Sequence, residues 1–392
     1  MNELPYSGCR ILDMTQGVAG PHATMLLALN GADVIKIEPL EGDWARRLGK
    51  TSGDSSVNFF AFNRGKRSLS IDLKTNAGRA VIEALTRKCD IVVESFKPGT
   101  ASRLGIGLDD VRRVHADAIY ASISGFGQTG PESSRAAVDS LLQAYSGMMV
   151  MNAAVDGTPQ RSPMIIVDVV TGLYAFQAIS NAFIRRLRFG IGAHLDISMM
   201  QSAAAFQASK IMEYWESGGA PQPLYVPAGA FRTADGHLTI SGMRKAHFEA
   251  ICAVLGVPDL ASDPRWPAQE DRIVHGDEIN ARLQAEFLKH PTSHWLPRLS
   301  EVGVMAEKVR NYDQWLQETH VQETHSFDWA NKTPFGRLPI LKVPGLMADD
   351  LGEPFGTAPA IGMHSREILK EFGMPSGWID DQVRSGVVID CT

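Results

Sequence analysis

The chain has 392 residues, more than one hydrophobic core usually supports, so its length points to two or three domains rather than one small module. With 44% hydrophobic and 21% charged residues, and 36 Gly and 21 Pro spread along its length, it is neither disordered, fibrous nor low-complexity. The 38 basic and 44 acidic residues leave a formal charge of −6, which argues against a nucleic-acid partner.

In chain order, residues 10–15 read as a strand, 21–30 as a short helix closed by Gly31, and 32–38 as the next strand, which makes a βαβ unit. A strand at 68–73, a helix at 76–88 and strands at 90–94 and 118–124 continue the alternation. Parallel strands joined by helices predict an open, doubly wound α/β sheet. Helical patterning dominates from Val138 to Trp215, with 194–198 as one more strand. The Gly/Pro-rich stretch 217–223 marks a domain boundary, and 231–241 reads as two short strands around an Asp-Gly turn. Helices over 246–255, 278–288 and 293–302 then suggest a smaller mixed domain, followed by a Pro-rich tail, 334–359. Cys9, Cys89, Cys252 and Cys391 form no CxxC pair and no Cys/His cluster, so neither a metal site nor a disulfide framework is expected, and a reducing cytoplasm fits. Residues 1–10 lack the basic start and apolar run of a secretory signal.

Between Arg161 and Arg185 the single charged side chain is Asp168. Pro163, Gly172, Gln177, Ser180 and Asn181 make this stretch a poor membrane span, and a buried core helix fits it better. Asp168 stands where an extended apolar stretch turns into a helix, so it suits an N-cap. A carboxylate oriented by helix-start amides in a dry pocket also suits a nucleophile toward an activated acyl group. Both roles are open at this point.

Gly125, Gly127 and Gly130 satisfy G-x-G-x-x-G after a predicted strand, but Pro131 and the polar 132–135 follow instead of an apolar helix. A loop of closely approaching backbone, or a plain surface turn, is expected there rather than a nicotinamide site. Arg64, Lys66, Arg67, Lys74, Lys97 and Arg103 form local basic groups that suit phosphates, or equally a solvated face.

Taken together, the motifs resemble the family III CoA-transferases over essentially the whole chain. The resemblance is carried by Ile11-Leu-Asp-Met-Thr with Ala19-Gly-Pro21, by Gly31-Ala-Asp-Val-Ile-Lys-Ile-Glu-Pro39, and by Asn63-Arg-Gly-Lys-Arg-Ser68 with Ile71-Asp-Leu-Lys74. It continues in Asp90-Ile-Val-Val-Glu-Ser-Phe-Lys-Pro-Gly99, Arg103-Leu-Gly105, the loop from Gly125 to Pro131, and the run from Arg135 through Asp139 to Gln143-Ala-Tyr-Ser-Gly147. Gly236 and Gly362-Met-His-Ser-Arg-Glu-Ile-Leu369 complete the series.

The resemblance implies a Rossmann-like large domain with a smaller α+β domain: residues 1–216 and 331–392 for the former, 217–330 for the latter with its linkers. Two chains would thread through each other as an interlocked homodimer. It implies acyl-CoA and a small carboxylic acid as substrates, with no metal, no nicotinamide, no nucleic acid and no membrane. The family's catalytic aspartate falls on Asp168, and CoA contacts fall on Val18, Ile71, Asp72, Leu73, Lys74, Ser95, Phe96, Arg103 and Leu104. The implied route runs through an aspartyl mixed anhydride and an aspartyl-CoA thioester on Asp168. An aspartate at its ordinary pKa of ~3.9 is already ionised at neutral pH, so the protein is expected to orient and desolvate it rather than deprotonate it. Backbone N–H groups near Gly17–Gly20 or Gly125–Gly127 suit the oxyanions.

Ser95 stands where many members have Asn, and Val18 where some oxalate users have Gln. The glycine-rich loop of those oxalate users is replaced by Ser241-Gly-Met-Arg-Lys-Ala, and Gly303-Val-Met-Ala-Glu-Lys-Val309 replaces the more usual Gly-Val-Pro-rich run. Oxalate is therefore not the expected acceptor. Four rivals compete. A 2-methylacyl-CoA racemase needs a His/Asp pair, yet no histidine lies between His115 and His194. An intramolecular CoA-transferring isomerase would use the same Asp168, a catalytically silent acyl-CoA binder would keep Lys74 and Arg103, and a nicotinamide dehydrogenase rests on the glycine motif alone.

Overall fold

A computed structural model of the chain describes residues 4–154, 156–219, 223–347 and 356–391. In chain order the first strands are β1 (Arg10–Met14) and β2 (Asp33–Glu38), a two-residue hairpin of β3 (Thr51–Ser52) with β4 (Ser55–Ser56), then β5 (Arg67–Ile71), β6 (Ile91–Glu94), β7 (Ile119–Ser124) and β8 (Ala193–Ser198). The second group is β9 (Ala228–Arg232), β10 (His237–Ser241), β11 (Met305–Lys308), β12 (Phe327–Thr333), β13 (Gly336–Leu341) and β14 (Val388–Ile389). Seven of these form one sheet in the order β14-β5-β2-β1-β6-β7-β8. Every neighbouring pair in it is parallel except β14 with β5.

Its Val/Ile-rich strands follow from burial on both faces. On one face the helices Asn76–Thr86, Ser365–Glu371 and Ser376–Arg384 set Val81, Ile82, Leu85, Ile368, Leu369 and Ile379 against Leu12, Ile35 and Val92. On the other, the helices Ala19–Leu29 and Ile166–Phe189 set Ala23, Leu27, Ala175 and Ile179 against Ile11, Val34 and Val93. The chain winds outward from β1 through β2 to β5, then returns to the other side of β1 and winds through β6, β7 and β8. The loops leaving β1 and β6 therefore diverge, which opens a crevice at the carboxyl ends of these two strands, the place where open α/β sheets bind ligands.

The chain divides into two compact units, Met1–Ala208 with His325–Thr392, and Ser209–Thr324. The second unit is α+β: an antiparallel sheet in the order β11-β10-β9, with the helices Lys245–Leu255, Gly276–Phe287 and Thr292–Glu301 enclosing Phe248, Ile251, Leu283, Phe287 and Trp295. The Gly/Pro stretch 217–223, of which 220–222 lie outside the described residues, falls inside this unit because the helix Ala208–Glu216 before it already belongs there from its second residue. The stretch 334–359 is more than a tail. Its start forms β13, which pairs with β12 and sets Pro339 opposite Trp329 on a two-stranded ribbon that tolerates a residue without an N–H. Residues 348–355 lie outside the described residues.

The helix Ile166–Phe189 is buried along one face only, through Val167, Thr171, Ala175, Ile179 and Ala182. Its far end is bare: Leu187 and Phe189 are 70% and 63% exposed. Among the described residues it is the one helix long and apolar enough to cross a membrane, but its inner face is packed on the sheet.

Candidate active site

Buried charges set the shape of the loop that leaves β1. Asp13 is fully buried; its Oδ1 accepts from Thr15 N at 3.0 Å, and its Oδ2 accepts from Thr24 Oγ1 at 2.7 Å and Lys66 Nζ at 2.9 Å. Burial opposes its ionisation, but Lys66 and Lys36 hold the carboxyl well below the usual carboxylate range. Lys36, equally buried, pairs with Asp43 at 2.9 Å and donates to the Thr15 carbonyl at 2.9 Å. Asp43 Oδ1 in turn accepts from Gly17 N and Ala45 N, each at 2.9 Å. Ser95 Oγ accepts from Gln16 N at 3.0 Å and ties this loop to the one leaving β6. Gly17 sits at φ +84°, and a Cβ there would lie 2.3 Å from the Trp44 ring, so the close approach of the indole requires glycine.

Above these loops lie two cavities that share Gln16 and Phe96 as a wall. The larger, about 460 Å³, is lined by Val18, Trp44, Ser95, Arg135, Met199 and Asp168 among others. The smaller, about 260 Å³, is lined by Ile71, Asp72, Leu73, Lys74 and Leu104.

Asp168 is the third residue of its helix and not its cap, because Ile165 holds the N-cap position and makes no side-chain capping bond. The cap comes from another helix. Asp139, buried in the first turn of Asp139–Tyr145, accepts through Oδ2 from Val167 N at 2.8 Å and Asp168 N at 3.2 Å. Its Oδ1 accepts from Gln143 Nε2 at 2.6 Å, and Gln143 Oε1 accepts from Ser162 N at 3.0 Å. One buried Asp/Gln pair thus fixes the segment that delivers Asp168, and leaves the Asp168 side chain to line the cavity. No hydrogen bond reaches the Asp168 carboxylate among the described residues. Burial, and after it the charge of Asp139, pushes this carboxyl up to about 7. The expectation of an ordinary, fully ionised aspartate is overturned: near neutral pH its protonated and ionised forms coexist.

Two of the expected oxyanion donors are already engaged, since Gly17 N donates to Asp43 and Gly127 N donates to Ser124 Oγ at 3.0 Å. Ala19 and Gly20 line the larger cavity at the start of the helix Ala19–Leu29, which no side chain caps and whose first N–H groups have no acceptor within the helix. Gly125 also lines the cavity; a Cβ there would lie 2.2 Å from Ala137 Cβ, so the glycine loop does bring backbone close together.

Val18, Ser95 and Phe96 share the larger cavity with Asp168, while Ile71, Asp72, Leu73, Lys74, Leu104 and again Phe96 wall the smaller one. Arg103 walls neither; its Nη2 donates to Thr100 Oγ1 at 2.8 Å on the surface. Lys66 and Arg67 are not phosphate ligands in waiting. Lys66 is taken by Asp13, and Arg67 by Asp33 at 2.6 Å, Glu371 at 2.9 Å and Glu367 at 3.0 Å. Sequence reasoning missed Asp139 and Gln143 as the support of Asp168; their i, i+4 spacing signals a side-chain pair on a helix, but not what the pair holds. Among the described residues no group of three or more His, Cys, Asp or Glu is placed to hold a metal ion.

Residues 6–365 match the family model for CoA-transferase family III. The chain is 37% identical over 381 residues to the acetyl-CoA:oxalate CoA-transferase of Acetobacter aceti, covering 95% of this chain and 96% of that one. It is 32% identical to the succinyl-CoA:glutarate CoA-transferase of Mus musculus, covering 98% and 90%. Among solved structures, a CAIB/BAIF family protein from Brucella suis superposes with a TM-score of 0.84 at 28% identity, over 95% of this chain and all of that one. The chain is thus an acyl-CoA:carboxylate CoA-transferase and belongs to CoA-transferase family III.

Proposed function

We propose that Asp168 is the covalent nucleophile of this transferase, and that the two cavities divide the substrate at the thioester: acyl group in the larger, CoA in the smaller. The supporting observation is a poorly hydrated carboxylate, without a donor of its own, in a cavity that shares Gln16 and Phe96 with a second cavity walled by Lys74. The ionised Asp168 attacks the thioester carbonyl, and collapse of the tetrahedral species expels CoA thiolate and leaves an aspartyl mixed anhydride. The thiolate then attacks the aspartyl carbonyl, which releases the donor acid and forms aspartyl-CoA. The acceptor carboxylate runs the two steps in reverse and leaves with CoA. The N–H groups of Ala19 and Gly20, at the positive end of their helix, suit the oxyanions.

Val18, Ser95 and Phe96 would hold the pantetheine arm at the junction, and Ile71, Asp72, Leu73 and Leu104 the rest of CoA, with the ammonium of Lys74 on a phosphate and Arg103 joining from the rim. The functional form would be an interlocked homodimer in the cytoplasm. Bare apolar side chains support association, Leu187 and Phe189 on the first unit and Met212 and Trp215 on the second, and four free cysteines support a reducing compartment. The acceptor panel includes oxalate and glutarate, which the relatives' names carry, although Val18 and the 241–246 segment weigh against oxalate.

The test is to incubate the protein with a panel of acyl-CoAs, trap with hydroxylamine and map the modified peptide. A hydroxamate on Asp168 is expected. Thioester binding without any Asp168 adduct would leave a silent binder and sink the covalent route. Scrambling of CoA between two labelled donors separates intermolecular from intramolecular transfer.

A further inference from the structure

The backbone of residues 167–169 is held by side chains from two other helices. Asp139 accepts from the N–H groups of Val167 and Asp168. The Val169 carbonyl lies 3.2 Å from Nδ1 of His22, a buried residue of the helix Ala19–Leu29. A carbonyl oxygen can only accept, and it has a second lone pair beyond the one its own helix uses, so Nδ1 carries the proton and donates. Burial pushes the imidazole down to about 4; the charges of Lys66 and Arg64 act in the same direction and the bond to Val169 against it. The ring is therefore neutral near pH 7, with its single proton on Nδ1.

His22 also closes the first turn of its own helix, since its backbone N donates to the Val18 carbonyl at 2.7 Å. Ala19 and Gly20, whose N–H groups suit the oxyanions, lie in that turn. The two helices touch here: a Cβ on Gly172 would lie 2.7 Å from His22 Nδ1 and 2.9 Å from the Ala19 carbonyl oxygen. The second turn of the Asp168 helix is thus packed directly on the first turn of the other, an approach that only glycine allows. Phe62 meets the imidazole edge to face, with 5.3 Å between ring centroids, and helps to orient it. His22 lines neither cavity, so it acts through backbone and not on the substrate.

Resting on the roles proposed for Asp168, Ala19 and Gly20, we infer that His22 is a positioning residue of the transfer: its Nδ1–H bond to Val169 locks the helix that delivers the nucleophile to the helix start that receives the oxyanion. Asp139 fixes the approach to Asp168 from the N–H side, and His22 fixes the exit from the carbonyl side. Rate is steeply sensitive to such spacing, because a small displacement of reacting groups takes them out of the attack geometry.

The test compares His22→Leu, which keeps an apolar side chain of similar bulk without a donor, with His22→Asn, whose amide nitrogen stands as many bonds from the backbone as Nδ1. For His22→Leu the single-turnover rate of hydroxamate formation on Asp168 is expected to fall about 10- to 100-fold, while the dissociation constant for free CoA stays within about twofold. His22→Asn is expected to recover most of that loss. Equal losses in the two variants, no loss in His22→Leu, or CoA binding weakened as much as the rate would overturn the assignment. Nitrogen-15 spectra of histidine-labelled wild type, with the His22 ring assigned through its contact with Phe62, read the bond without any substitution. A proton on Nδ1 across about pH 5 to 8 is expected, and a proton on Nε2 overturns the assignment. Failure of the covalent route shows as a missing hydroxamate in wild type, and failure of the His22 assignment as a wild-type hydroxamate that His22→Leu forms equally fast.

Discussion

Asp139→Asn separates the two things that Asp139 does to Asp168, holding its backbone and raising its pKa. Burial and the charge of Asp139 push the Asp168 carboxyl up from 3.8 to about 7, a preference of about 4 kcal/mol for the protonated form. Burial is the larger of its two causes and the charge of Asp139 the smaller, so Asp139 accounts for less than half of the rise. Removing that charge should move the acid limb of kcat/KM for the acyl-CoA donor down from near pH 7 by at most about one and a half pH units, and not into the ordinary carboxylate range. The backbone consequence is separate. If the Asn oxygen stays on Val167 N and Asp168 N, its amide nitrogen faces Gln143 Nε2, and if Gln143 turns over, Ser162 N loses its acceptor. Either arrangement leaves a buried donor unmet at a cost of about 1–3 kcal/mol, and a displaced nucleophile lowers the plateau by about 10- to 100-fold. The assay is kcat/KM for one donor across about pH 5 to 9, with single-turnover hydroxamate yield on Asp168 at each pH. A plateau that falls while the limb stays in place would make Asp139 a support and nothing more, and a limb that moves upward would refute the charge argument outright.

Three further outcomes are expected. Because the folded pKa of Asp168 lies above its unfolded value, its contribution to stability is complete below about pH 4 and is lost as pH rises through 7. Asp168→Asn should therefore melt higher than wild type at pH 8, by up to about 4 kcal/mol of stability in the larger unit, with the gap closing toward pH 4 in calorimetry; an equal gap at both pH values contradicts it. Lys66→Met strands Asp13 in the core without its 2.9 Å partner, so a loss of about 3–5 kcal/mol is expected in denaturant melts, and a loss below about 1 kcal/mol would mean that the buried pair is dispensable. Phe96→Ala removes the wall common to both cavities and should raise KM for acyl-CoA at least tenfold in steady-state assays, whereas an unchanged KM would place CoA elsewhere.

The strands of the large sheet were legible because a sheet covered on both faces demands short apolar runs, and Ile11-Leu12, Val34-Ile35 and Ile91-Val92-Val93 supply them in β1, β2 and β6, with Asp33 and Asp90 at the borders of the last two. Asp168 was legible by contrast, as the one charge in a long neutral stretch. Its environment was not. The cap from Asp139 bridges two helices, and in sequence Asp139 looks like any helix-start aspartate. Lys36 and Lys66 are more deceptive still, since Asp-Val-Ile-Lys-Ile-Glu reads as a strand with one wet side, yet Lys36 and Glu38 are buried in ion pairs with Asp43 and Arg46. Partners of that kind come from separate loops, and the pKa of Asp168 depends on burial that no local pattern encodes.

The antiparallel strand β14 carries a consequence in time. Val388 sits opposite Ile71, and the Val387 carbonyl accepts from Asp72 N at 2.9 Å, so the backbone just ahead of Lys74 in the smaller cavity is held by residues made long after it. On the ribosome, β5 emerges with an open edge and keeps it until β14 has followed, a long exposure for a strand able to pair with a neighbour's. The turn at Asp72–Lys74 gains this support only then, so in the proposed division of the substrate a nascent chain can assemble the pocket around Asp168 before it can grip a nucleotide-bearing thioester. On that division, binding competence arrives with the synthesis of β14 rather than with collapse of the core.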